Sequence, residues 1–248
     1  MPPTEDLIIA AGALLGGFVS GLAGFGTGLV ALGIWLHAVS PPLAAALVII
    51  CSVVAQSQTI PAIWHAIDFR HLWPMLVAGI IGVPIGANLL AHVDPHVFRL
   101  GVGLFLLLFS SVMLAGRAHM AVSWGGRTAD AAIGLGGGIL GGLAGLSGPL
   151  PTMWATLRGW SKDRRRGVFQ AYNLTVLSAA LAALIIKGLL TREVGWLLLW
   201  ALPGTFCGAW LGARAYRRLS DHHFHQIVLG LLAVSGLTLI WSSIFGTG

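Results

Sequence analysis

Two stretches of this chain are longer and more apolar than a single membrane helix needs, and glycine interrupts both. Leu7–Val39 holds no Asp, Glu, Lys or Arg over 33 residues. As one helix it would measure about 50 Å at 1.5 Å per residue, against a hydrocarbon core of roughly 30 Å. Within it lies Gly21-Leu-Ala-Gly24-Phe-Gly26-Thr-Gly28. A second run, Ala131–Leu157, carries Gly141-Gly-Leu-Ala-Gly145-Leu-Ser147-Gly148-Pro149. Glycine and proline at this density break helices. Each run is therefore expected to be interrupted at membrane depth.

Six further runs have the length of ordinary spans: Leu43–Trp64, Leu72–Ala91, Val97–Ala115, Val168–Leu190, Val194–Ala215 and Ile227–Phe245. Only 9% of the 248 residues are charged, against 56% apolar. A soluble domain of this size needs far more polar surface. This balance excludes a water-soluble enzyme, a disordered chain and a nucleic-acid binder. It leaves an all-α polytopic membrane protein whose partner is the lipid bilayer. The net charge of +6 then reads as cytoplasmic loops. Cys51 and Cys207 fall inside apolar runs and are expected to be buried thiols. The start, Met-Pro-Pro-Thr-Glu-Asp, lacks the basic opening of a signal peptide.

The two glycine clusters align. Gly21-Leu-Ala-Gly24 matches Gly142-Leu-Ala-Gly145 at an offset of 121 residues. Gly82-Val-Pro-Ile-Gly86-Ala87 matches Gly208-Ala-Trp-Leu-Gly212-Ala213 at 126, and Asp94–Phe98 pairs with Ser220–Phe224 at the same offset. The expectation is a duplicated unit of about 120 residues. Residues 1–116 form the first repeat, 117–130 a polar linker and 131–248 the second repeat.

Two topologies follow. If each broken run crosses once, the halves are parallel. If each turns back as a re-entrant hairpin, each half has three further spans and the halves are inverted. In the hairpin reading only Arg99, Lys187 and Arg192 stand on one side, and the other eleven of the fourteen Lys and Arg stand opposite. That bias is stronger than the eight-crossing reading gives, so inverted repeats are preferred. Both readings place Arg164–Arg166 in the cytoplasm and the N-terminus outside.

Irregular backbone at membrane depth is tolerated inside protein or beside a water-filled space. A break also frees N–H groups at the start of the next half-helix, where the dipole attracts an anion. Gly24, Gly26, Thr27 and Gly28 in one break, and Gly145, Ser147 and Gly148 in the other, are the candidate binding residues. Gln56 and Asn173 join them, because each is a carboxamide in the span that follows a break. Isolated pairs such as Gly82/Gly86, Gly208/Gly212 and Gly12/Gly16 are expected only to pack helices.

No acid lies at a span centre, which disfavours a cation pump with a carboxylate relay. The histidines are interfacial, and His222, His223 and His225 read as a solvated helix start rather than a metal tract. No cofactor is implied. Gly145-Leu-Ser147-Gly148 spells the GxSG pattern of rhomboid-type intramembrane proteases. That chemistry needs a histidine base from another span, and none lies in a span centre. A non-transporting membrane scaffold is a third reading. The chain is expected not to be an enzyme. A homodimer is compatible with it, though no feature calls for one.

The glycine cluster, its copy and the G-x-x-x-G-A blocks at Gly82–Ala87 and Gly208–Ala213 resemble the sulfite exporter TauE/SafE family, from about Leu7 to Phe245. The resemblance implies a bacterial cytoplasmic-membrane permease for sulfite, sulfoacetate or other sulfonates. It also implies that Gly21–Gly28 and Gly142–Pro149 are its functional core. Gly26 and Gly28 stand where the second copy has Ser147 and Pro149, so the two breaks are chemically unequal.

Overall fold

Proline and aspartate set where several helices begin. The computed structural model describes residues 3–62, 67–114, 125–160, 162–215 and 221–245. Ten α-helices follow in order: α1 Pro3–Ala23, α2 Thr27–Trp35, α3 Pro41–Thr59, α4 Phe69–Leu90, α5 Pro95–Leu114, α6 Gly126–Ala144, α7 Pro149–Leu157, α8 Lys162–Ile186, α9 Arg192–Ala215 and α10 Asp221–Phe245. A 3-10 turn, Ile60–Ala62, extends α3. Among the described residues there is no strand. Pro41 and Pro149 open α3 and α7, where a missing N–H costs no helical bond. Asp68 caps α4 by accepting from the Arg70 N–H at 3.1 Å, and Asp94 accepts from His96 and Val97 at the start of α5.

Both long runs break as expected, and each folds back on itself. Gly12 faces Trp35, and Gly16 faces Thr27 and Ala31. The Trp35 indole donates to the Ile9 carbonyl at 3.1 Å. Rising numbers on α1 thus meet falling numbers on α2. The second pair does the same: Gly141 faces Ser147, Gly137 faces Pro151, and the Trp154 indole donates to Asp130 at 2.7 Å. The chain therefore holds two helical hairpins with tips at Gly24–Gly26 and Gly145–Gly148.

Small residues bring the longer helices together. Gly204, Gly208 and Gly212 of α9 lie on the backbone of α1 at Ala10, Leu14 and Phe18. Gly82 and Gly86 of α4 lie on α6 at Leu135 and Ile139. A methyl at any of these five sites would overlap a main-chain atom, so glycine is what allows the contact. In both pairs numbers rise together, so the helices are parallel. α5 and α10 instead run antiparallel: Gly103 meets Gly236, and Ser243 donates to the His96 carbonyl at 3.1 Å.

α3 lies at the centre, with Ala44–Ile49 fully buried. Among the described residues six helices are long and apolar enough to cross a membrane: α1, α3, α4, α5, α8 and α9. The described apolar part of α10 is shorter, Leu232–Ile244. Outward faces are apolar too, with Trp73, Ile81, Leu108, Leu199 and Phe206 exposed. One expectation is corrected here. Cys51 is buried but Cys207 is exposed, because α9 turns its glycine stripe to α1 and leaves Cys207 on the outer face. Residues 117–124 of the expected linker lie outside the described residues, as do the side chains of His222, His223 and His225.

Candidate functional site

The tips of the two hairpins abut. A Cβ on Gly28 would sit 3.1 Å from the Gly145 carbonyl oxygen, and one on Gly148 would sit 2.9 Å from both the Phe25 Cβ and the Asn173 amide nitrogen. Gly24, Gly26 and Gly145 hold φ of 82°, 112° and 69°. This is backbone that side chains rarely adopt. It turns the chain within three residues, so α2 starts beside the end of α1. Each turn places the start of a half-helix at the tip, and the first N–H groups of a helix have no helical carbonyl to bond.

Between the tips is a cavity of about 10 Å³, room for roughly one water molecule. Of the sequence candidates, Gly26, Gly28, Gln56, Gly145, Ser147, Gly148 and Asn173 line it. Gly24 and Thr27 are not on its wall. Gly24 faces Arg166 and Gln170 of α8. Thr27 opens α2, and its buried hydroxyl has no partner among the described residues.

The remaining walls are Phe25, Leu29, Ser52, Leu146, Pro149 and Leu177. Five pairs of lining residues share one spacing: Phe25/Leu146, Gly26/Ser147, Gly28/Pro149, Ser52/Asn173 and Gln56/Leu177 all differ by 121. The offset read from the glycine clusters thus also relates the two sides of this cavity. Apolar walls carry no signal in a chain that is apolar throughout, whereas the 121 spacing could have pointed to Phe25, Leu146 and Leu177.

The polar groups here form a neutral set. The Ser147 hydroxyl donates to the Asn173 Oδ1 at 2.8 Å. Its proton goes to an amide oxygen, which is no general base. Gln56 is 2% exposed, and its Oε1 has no partner among the described residues. One turn before Asn173 on α8, the Gln170 amide donates to the Thr59 hydroxyl at 2.7 Å. One turn further back, Arg166 donates to the Gly21 carbonyl at 3.1 Å, at the C-terminal, negative end of α1. Sequence reading did not bring Arg166 into this neighbourhood, because its contact with Gly21 crosses a long sequence separation.

A charged cluster lies where α4 and α8 begin. Arg164 pairs with Asp68 at 2.6 Å, and His71 approaches Asp68 at 3.1 Å. The Arg164 guanidinium also lies 4.9 Å from the centre of the Trp160 ring. Partial burial tends to raise the Asp68 pKa, but the His71 hydrogen bond and the Arg164 charge outweigh it and hold the carboxyl below its usual range. At the far ends of the same two helices, the Lys187 ammonium donates to Asn88 at 3.2 Å. Among the described residues no group of His, Cys, Asp and Glu could hold a metal.

No curated protein and no solved structure matches this chain. Its residues 8–239, nearly its whole length, match the sulfite exporter TauE/SafE family. A polytopic all-helical chain with that match belongs to the sulfite exporter TauE/SafE family, a family of membrane transporters of sulfur-containing anions.

Proposed function

We propose that this protein is a permease that carries one small sulfur-containing anion, sulfite or a sulfonate such as sulfoacetate, between the two hairpin tips. The observation that carries this reading is the convergence of two half-helix N-termini on one cavity lined by hydroxyl, carboxamide and glycine. Gly26, Gly28, Gly145 and Gly148 leave the main chain bare to the ligand, Ser147, Asn173 and Gln56 supply polar side chains, and Gly24 and Thr27 shape the first tip. Helix N-termini attract anions without an ionisable residue. Export is the direction the family description favours.

Transport proceeds by alternating access, with one repeat moving against the other. Three relationships support an inverted repeat: the parallel pairs α1/α9 and α4/α6, the antiparallel pair α5/α10, and the 121 spacing across the cavity. In this arrangement the hairpins enter from opposite faces of a bacterial cytoplasmic membrane. The N-terminus and Ser40 are outside, and the Arg164–Arg166 segment is inside. The cavity is too small for sulfite in the present state, so loading requires the tips to part from Val48 and from each other.

The test is flux into proteoliposomes containing the purified protein, comparing sulfite, sulfoacetate and chloride. Saturable flux of the two sulfur anions above that of chloride is expected. Flux no greater than in empty liposomes for all three would contradict the proposal and favour a scaffold.

A further inference from the structure

We infer that the cavity between the hairpin tips selects monoanions over dianions, so that it takes sulfonates and hydrogensulfite and leaves the sulfite dianion and sulfate outside. This rests on the permease reading and specifies the charge state of its passenger.

The argument is a balance of charge. None of the side chains lining the cavity is ionisable. The first hairpin has no ionisable residue between Asp6 and His37, and the second has none between Asp130 and Arg158. On α3 the adjacent Cys51 is fully buried. On α8 the Tyr172 hydroxyl is committed to the Gly134 carbonyl at 2.6 Å. The nearest cation on α8 is Arg166, which lies behind the first tip against Gly24 and is not part of the wall. It holds the Gly21 carbonyl.

The positive potential in the cavity therefore comes from two half-helix N-termini. Each is worth roughly half an elementary charge, so together they balance about one negative charge. Desolvation cost grows with the square of charge, about fourfold from monoanion to dianion. Nothing in the wall offsets that increase. Donors are also limited: Pro149 and Pro151 remove two N–H groups from the first turn of α7. The unpartnered Oε1 of the buried Gln56 is an acceptor, which suits an anion that still carries a proton. The Gln56 carboxamide can turn its NH₂ to a sulfonate oxygen instead.

This arrangement also explains how a site without an acid could couple anion and proton movement. Hydrogensulfite brings its own proton through the cavity and releases it on the other side.

The experiment uses wild-type protein in proteoliposomes with methanesulfonate, sulfate and sulfite over a pH series. Methanesulfonate flux is expected to be independent of pH, and sulfate flux to stay at the empty-liposome level. Sulfite flux should fall about tenfold per pH unit above the hydrogensulfite ionisation, following the monoanion fraction. Sulfate carried as fast as methanesulfonate, or sulfite flux that rises with pH, overturns the charge selection while leaving the permease reading intact. No flux of any of the three at any pH overturns both. As a second arm, Gln56→Arg adds a permanent cation to the wall. It should lift sulfate flux above the empty-liposome level and so raise the sulfate-to-methanesulfonate ratio from background to a measurable value. An unchanged ratio in a folded, active variant contradicts the inference.

Discussion

The hydroxyl of Ser147 donates to the carboxamide of Asn173 across 2.8 Å, tying the tip of the second hairpin to the helix that follows it. The bond also orients Asn173, whose amide nitrogen lies against Gly148. Ser147→Ala should lower sulfite flux about fivefold, the worth of one hydrogen bond of roughly 1 kcal/mol. Initial rates in proteoliposomes check this, with thermal stability in detergent as the control. A complete loss of flux with the fold intact would show that the hydroxyl does more than make this one hydrogen bond.

Gly145 combines two demands, a φ of 69° and a Cβ direction that runs into Val48. Gly159 has a φ of 65° but open space around it. Gly159→Ala should therefore cost only the backbone strain, about 1–2 kcal/mol. Gly145→Ala should cost that plus the overlap, and should also reduce flux. Melting temperatures of the two variants separate the contributions, and equal shifts would contradict close packing at the tip.

The Asp68–Arg164 pair predicts a pH dependence with a definite sign. The Asp68 pKa is lowered in the fold. Its contribution is thus complete above the ordinary carboxylate value of about 3.9 and is lost as pH falls through the lowered one. Asp68→Asn should melt below wild type at neutral pH, and the gap should close in acid. Because both partners are partly exposed, solvent screening keeps the effect modest. A gap that does not vary with pH would show that the carboxylate charge is not what Arg164 recognises.

Much of this was legible in advance because helix-breaking glycine is conspicuous inside apolar runs. Gly24, Gly26 and Gly145 were identifiable as the turning points, and the duplicated spacing extends to Ser52 and Asn173. Three things were hidden. Leu29 looks like any other leucine of a membrane helix, and no 121-spaced partner marks it. Cys207 could not be assigned a face, since lipid and protein interior are equally apolar and hydropathy does not tell them apart. Arg166 reads as one of a basic cluster, and only the fold brings its guanidinium to the Gly21 carbonyl.

Side-specific labelling tests the inverted arrangement. In a background lacking Cys51 and Cys207, Ser40→Cys and Thr128→Cys place thiols at exposed positions. A membrane-impermeant maleimide added to intact cells should label Ser40→Cys and spare Thr128→Cys. The reverse pattern would support single crossings by each broken run.

The most direct test of the account is ligand protection inside the cavity. Ser52 lies on α3, outside both hairpins, and faces the space between their tips. With Ser52→Cys as the sole thiol in reconstituted protein, methanesulfonate should slow modification by a small thiol reagent, and an equal concentration of chloride should not. Modification at the same rate with and without methanesulfonate, in protein shown to carry it, would place the passenger elsewhere and contradict the convergence of the two half-helices as its binding site.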